Sequence, residues 1–174
     1  GSQCGYCTPG FVMSMYTLAF FASGVYALVR PIERDRQEGW VVLGVLGIVF
    51  QNGVFTVVIA TDVVLLMLAD SLLTNAGTTE AVWNLQRALF TLNGTAIGIA
   101  FFGLSMATLR AGIAPKWHSY GGIIGSVAFL LSAIFVVAAL QGSLIFIIGL
   151  VGFILWLLWI LIMGIQMAIK PVLT

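Results

Sequence analysis

Charge is what this sequence has least of. Seven basic and six acidic side chains occur in 174 residues, 7% of the chain, where a soluble domain carries roughly 25%. Too few polar groups remain to coat a globule of this size, which excludes a soluble fold. The acids and bases nearly cancel, to a formal +1, so there is neither an electrostatic footprint for nucleic acid nor an acidic tail. Histidine occurs once, at His118, and cysteine twice, at Cys4 and Cys7. One histidine excludes bis-His haem ligation and a His-rich metal centre, and two thiolates cannot complete a four-ligand site. No GxGxxG, P-loop, HExxH or GxSxG pattern occurs. The Asn93-Gly94-Thr95 sequon falls inside an apolar run, where glycosylation has no meaning. An intramembrane enzyme needs an activated nucleophile, a base or a metal, and none is evident. A non-catalytic chain with no cofactor of its own is expected.

Apolar residues make up 61% of the chain, and glycine contributes 20 of the 174. About 20 mainly apolar residues are needed for a helix to cross a hydrocarbon core of roughly 30 Å. Five runs qualify: Phe11 to Val29, Val41 to Leu68, Ala88 to Leu109, Tyr120 to Leu140 and Ser143 to Ile169. Their apolar residues are continuous rather than alternating, so they read as helices and not as barrel strands. The breaks are equally marked. Arg30 to Gly39 holds six charges and a proline and is expected in water. Ala69 to Gln86 carries Asp70, Glu80, Asn75 and Gly77, with Thr79 as the expected N-cap of the third helix. Arg110 to Ser119 combines Gly112 and Pro115 with two bases and His118 and reads as a cytoplasmic loop. Gln141 and Gly142 alone separate the last two runs, which predicts a tight hairpin.

Lys and Arg concentrate in alternate loops: Arg30, Arg34 and Arg36 in the first, Arg110 and Lys116 in the third, Lys170 in the tail. By the positive-inside rule these segments face the cytoplasm. The expectation is an all-α integral membrane protein, a bundle of five transmembrane helices with the N-terminus outside and the C-terminus inside, in a bacterial cytoplasmic membrane. Residues 1–10 form a short extracytoplasmic segment, 11–169 the membrane domain and 170–174 a cytoplasmic tail. Trp40, Trp83 and Trp117 lie at span ends, as interfacial aromatics do. The chain opens on Gly1-Ser2 with neither an initiator Met nor a signal peptide, as expected of a processed or truncated chain or a short scar.

Ionisable groups inside spans are expensive and invite a functional reading. Asp62 lies 22 residues past Trp40, about 33 Å along a helix, and Arg87 lies 23 residues before Arg110, about 34 Å. Both reach the same outer level, so an Asp62 to Arg87 ion pair clasping the second and third spans is expected. Gln51 and Asn52 lie deeper, and Gln51 and Asp62 return to one face after three turns. Arg87, Thr91 and Thr95 recur at i, i+4 and i+8, with Asn93 to one side. These polar stripes read either as interhelical hydrogen-bonding glue or as the lining of a small polar cavity. Gly94 and Gly98, and Gly121, Gly125, Ala128 and Ser132, form small-residue faces suited to close helix packing or a subunit contact. On the last span Gly149, Gly152, Trp156, Trp159, Met163 and Gln166 share one face, a groove for a lipophilic molecule or a packing surface.

Cys4-Gly5-Tyr6-Cys7-Thr8-Pro9-Gly10 has Thr8 as N-cap and Pro9 at the first helical position, a sound helix start. The string from residue 1 to 18 resembles the segment of the molybdenum hydroxylases, xanthine dehydrogenase and its relatives, that supplies two ligands to a [2Fe–2S] cluster. The resemblance implies Cys4 and Cys7 as cluster ligands. The family's downstream C-x-C is missing here, so an iron–sulfur cluster would have to be completed by another chain. From about Leu18 onward a second resemblance applies, carried by Arg110, Gly112, Pro115, Lys116, Trp117, Gly121 and Gly122. A span ending in a base, then Gly, then Pro-Lys-Trp, then a Gly-rich helix start resembles a bacterial family of small multi-pass membrane proteins of unknown function. It implies the multi-span fold and no activity. Three roles follow as expectations: an accessory or assembly subunit whose partners are the bilayer and other membrane subunits; a small carrier or hydrophobic-ligand-binding protein using Gln51, Asn52, Asp62, Arg87 and Asn93; or a redox-linked anchor using Cys4 and Cys7.

Overall fold

The computed structural model describes residues 7–36, 38–68, 76–135, 137–138 and 144–169. Among these, five long helices run in chain order: α1 (Cys7–Asp35), α2 (Trp40–Leu68), α3 (Ala76–Ala111), α4 (Lys116–Ile134) and α5 (Ile145–Ile169). All five are long and apolar enough to cross a membrane. Consecutive helices run antiparallel, and α3 is central, packing on α1, α2 and α4, while α5 packs on α4. Burial follows that order. Half of the most apolar window of α3 is buried, 50%, against 17% for α1 and 22% for α5.

The α2–α3 seam is built by removing side chains. A Cβ added at Gly103 would fall 2.7 Å from the Gly44 Cα and 2.8 Å from the Trp40 carbonyl oxygen. One added at Gly47 would fall 2.6 Å from the Ala100 Cα. The two backbones therefore touch. Lipid tails are as apolar as Leu side chains, so helices in a bilayer gain little from burial alone and associate through close van der Waals packing. The seam continues outward: Gly122 and Gly125 of α4 receive Ser105 and Phe101 of α3, and Gly149 and Gly152 of α5 lie on Ser132 and Phe129 of α4. The small face of α4 keeps the expected Gly125 and Ser132 but not Gly121. Gly121 has nothing within 4 Å, and its neighbour Gly122 makes the contact.

The α3 to α4 turn shows why the Gly-x-x-Pro-Lys-Trp pattern stands where it does. Gly112 has φ +68°, the left-handed conformation that glycine adopts without cost. Its N–H donates to the Leu109 carbonyl and the Ile113 N–H to the Thr108 carbonyl, the paired bonds of a Schellman stop. Pro115 then opens α4, its carbonyl accepting from the N–H groups of His118 and Ser119.

Four expected boundaries move, the first at the start of α1, which begins at Cys7 so that Thr8 lies inside the helix and is not its N-cap. Residues 30–39 do not all lie in water: α1 continues through Pro31 to Asp35, and Glu33 is 1% exposed. Its carboxylate accepts the Val41 N–H at 2.9 and 3.1 Å. A helix N-terminus has orphan N–H donors and a positive dipole end, which is what holds this acid inside. Thr79 is the fourth residue of α3, not its N-cap, because the helix begins at Ala76 and spans 36 residues. At 1.5 Å per residue it is about 54 Å long, far more than a hydrocarbon core needs. The fourth helix ends at Ile134, short of Leu140, and the Gln141-Gly142 hairpin lies outside the described residues.

The seam gives a direct test. Gly103→Leu forces a side chain into the Gly44 backbone and should cost about 1–3 kcal/mol or more. Gly53→Leu, at a site with nothing within 4 Å, should leave stability unchanged. Thermal unfolding of both variants in mild detergent checks this; equal midpoints would mean the helices are not in backbone contact.

Candidate functional site

The polar residues expected to form one intramembrane cluster fall into separate places. Gln51 and Asn93 are buried on the facing sides of α2 and α3, and Gln51 Oε1 and Asn93 Oδ1 find no hydrogen-bond partner. Asn52, one residue on, turns to α1 instead and its amide donates to the Met15 carbonyl at 3.4 Å. Asp62 lies three turns further along α2. The polar neighbour that reaches its carboxylate is the side-chain amide of Gln86, not the guanidinium of Arg87. The expected clasp between α2 and α3 is thus a neutral-to-charged hydrogen bond one residue away from the ion pair. The reason is register: positions 44 and 103, and 47 and 100, face each other, so position 62 meets 86 before 87.

The threonines of α2 and α3 are mostly not interhelical glue. Thr91 donates to the Arg87 carbonyl, Thr56 to Asn52 and Thr61 to Val58, each within its own helix, the usual resort of a hydroxyl with no nearby partner. Glue is found elsewhere, between α3 and α4: Thr108 Oγ1 and Ser119 Oγ are 3.2 Å apart and buried. Of the expected packing glycines, Gly98 lies tightly on Leu130, Gly94 touches Phe129 at ordinary distance, and Gly125 takes Phe101, while Gly121 takes no part. Cys4 and the side chain of Cys7 lie outside the described residues. Among the described residues no three His, Cys, Asp or Glu side chains gather.

The densest chemistry is a buried aromatic column, of which only His118 was expected elsewhere. His118 lies inside α4, not in an exposed loop, and is 2% exposed. Its ring stacks on Trp159 of α5, with centroids 5.1 Å apart at 11°, and Trp159 stacks on Trp156 at 6.1 Å and 9°. Phe101 of α3 meets both tryptophans edge-on, at 4.9 and 5.7 Å, and Phe21 of α1 meets Trp159 at 6.2 Å. The column therefore joins four of the five helices. Nε2 of His118 lies 3.1 Å from the Trp159 carbonyl. A carbonyl only accepts, so Nε2 carries the proton and Nδ1 is left as a bare acceptor. Nδ1, Trp159 Nε1 and Ser105 Oγ are all buried without a partner. The face of α5 carrying Trp156, Trp159 and Met163 is filled by these rings and by neighbouring helices, so it is a packing surface and not an open groove. The available signal for His118 was its spacing: 118, 122, 125 and 129 fall on one helical face.

Two surface hollows lie among the described residues. A groove of about 350 Å³ lies between α1 and α2, lined by Met15, Tyr16, Ala19, Asn52, Thr56 and Ile59. Another, of about 520 Å³, lies on α1 around Arg30 and Arg34. Five of the seven bases, Arg30, Arg34, Arg36, Arg110 and Lys116, sit at this end of the bundle, where Arg36 Nη1 donates to the Arg110 carbonyl at the end of α3.

His118→Phe keeps a ring against Trp159 but removes the N–H donor, and should cost about 1 kcal/mol. His118→Ala removes the ring as well and should cost several times more. Tryptophan-detected thermal unfolding in detergent orders the two; an unchanged melt for His118→Ala would exclude the column as a structural element.

Against known proteins, the family model described as a Domain of unknown function (DUF4386) matches residues 6–164. No curated protein and no solved structure matches the chain.

Proposed function

The chain belongs to DUF4386, a family of domains of unknown function, and for this member we propose a non-catalytic role as an accessory or assembly subunit of a larger membrane complex. The observation that carries the reading is the glycine seam through α2, α3, α4 and α5. Where a carrier would hold a substrate along the bundle axis, backbone and the His118–Trp159 column fill the space. Alternating access needs one half of a bundle to rock against the other around a central site, and helices in backbone contact resist that. Gly53, Gly121 and Gly164, on α2, α4 and α5, have nothing within 4 Å and leave room for partner helices to approach closely.

We assign the basic end to the cytoplasm of a bacterial cell and the N-terminus to the outside, on the concentration of Arg30, Arg34, Arg36, Arg110 and Lys116 there and on Lys170 following α5. A second reading, a small carrier or hydrophobic-ligand-binding protein, is favoured by the α1–α2 groove, where the Asn52 Oδ1 has no partner.

Purification in mild detergent separates the two. A stoichiometric membrane partner, lost in Gly121→Leu, is expected for the subunit; a monodisperse monomer that retains a lipophilic molecule, released by Asn52→Leu, would replace that reading with the second. Orientation is checked in intact cells after Cys4 and Cys7 are changed to Ser: Thr78→Cys should react with an impermeant maleimide and Lys116→Cys should not. The reverse pattern would invert the assignment.

A further inference from the structure

The hollow on α1 is charged. Tyr26, Arg30 and Arg34 recur at i, i+4 and i+8 and line it together with Ala27 and Pro31. Arg30 and Arg34 close the first span, Met15–Arg34, and Tyr26 lies one turn deeper. That is the depth at which a lipid phosphate gives way to its acyl chains, and where amphipathic tyrosines collect.

Three features make the hollow more than a pair of snorkelling arginines. Arg30 is held in place, its Nη1 donating to the Glu38 carbonyl at 3.2 Å, which uses one of the five donors of the guanidinium fork. Glu33, between the two arginines in sequence, is buried and its carboxylate accepts the Val41 N–H. Pro31 has no N–H to give to the Ala27 carbonyl four residues earlier, so the floor of the hollow carries an acceptor lacking its ordinary helical donor. The set is therefore two cations, one of them held in place, a phenol and one carbonyl acceptor.

We propose that this hollow binds the headgroup of an anionic phospholipid bearing a free hydroxyl, of the phosphatidylglycerol kind. The phosphodiester meets Arg30 and Arg34 through charge-assisted hydrogen bonds, the Tyr26 hydroxyl donates to it from the acyl side, and a headgroup hydroxyl donates to the Ala27 carbonyl. A choline headgroup fits poorly, because its quaternary ammonium would face two guanidinium groups and it has no hydrogen to give to Ala27.

The test uses the full chain in neutral detergent, titrated with phosphatidylglycerol or phosphatidylcholine of identical acyl chains and read by native mass spectrometry. Phosphatidylglycerol should be retained at least about tenfold more strongly, and Arg34→Gln should lower that retention about tenfold, the worth of one charge-assisted bond. Tyr26→Phe should lower it less, and Arg110→Gln, at the same end but outside the hollow, should leave it unchanged. Equal retention of the two lipids would overturn the proposal, as would an Arg110→Gln loss matching that of Arg34→Gln, which would mean general attraction to the basic end. Displacement of the lipid by inorganic phosphate at equal concentration would also overturn it, since the hollow would then be a free-anion site.

Discussion

Everything in this bundle depends on how closely two helices can lie when neither gains from leaving the solvent. In water, burying a leucine drives assembly; in a bilayer the same leucine is as comfortable against lipid. What remains is short-range attraction, which falls away steeply with distance, and so the chain deletes side chains where contact matters. Gly44, Gly47 and Gly103 let α2 and α3 meet backbone to backbone, and α4 and α5 are added by the same means. The Phe101, Trp156, Trp159 and His118 rings then pack between α3, α4 and α5.

Polar groups follow a different rule. The hydroxyls mostly either turn back on their own helix, as Thr56, Thr61 and Thr91 do, or join an interhelical contact, as Thr108 and Ser119 do. Glu33 shows a third course, in which an acid is placed where another helix needs one. A side chain written among five other charges looks solvated, yet it is among the most deeply buried residues of the protein.

The spans were legible because crossing hydrocarbon demands a run of some 20 apolar residues, a demand that ignores which way each residue points. Facing was much harder to read for the same reason. In α2 or α5 nearly every position is apolar, so little marks the outside, and on α4 the expected small face holds at Gly125 and Ser132 but gives way at Gly121 to its neighbour Gly122. Register decided the rest: the facing of 44 with 103 brings Gln86, not Arg87, to Asp62, and that pairing is a tertiary fact. His118 was hidden by its neighbours, since Pro115, Lys116 and Trp117 look like a loop and the helix begins among them. The turn between α3 and α4 was the part best written in the chain, because Gly112 and Pro115 are needed by backbone geometry alone.

The Glu33 cap also bears on the order in which the chain is made. A ribosome completes Glu33 eight residues before Val41, so the acceptor for the first turn of α2 already exists when that turn leaves the exit tunnel. A chain synthesised without α1 would have to insert α2 without that acceptor for the Val41 N–H.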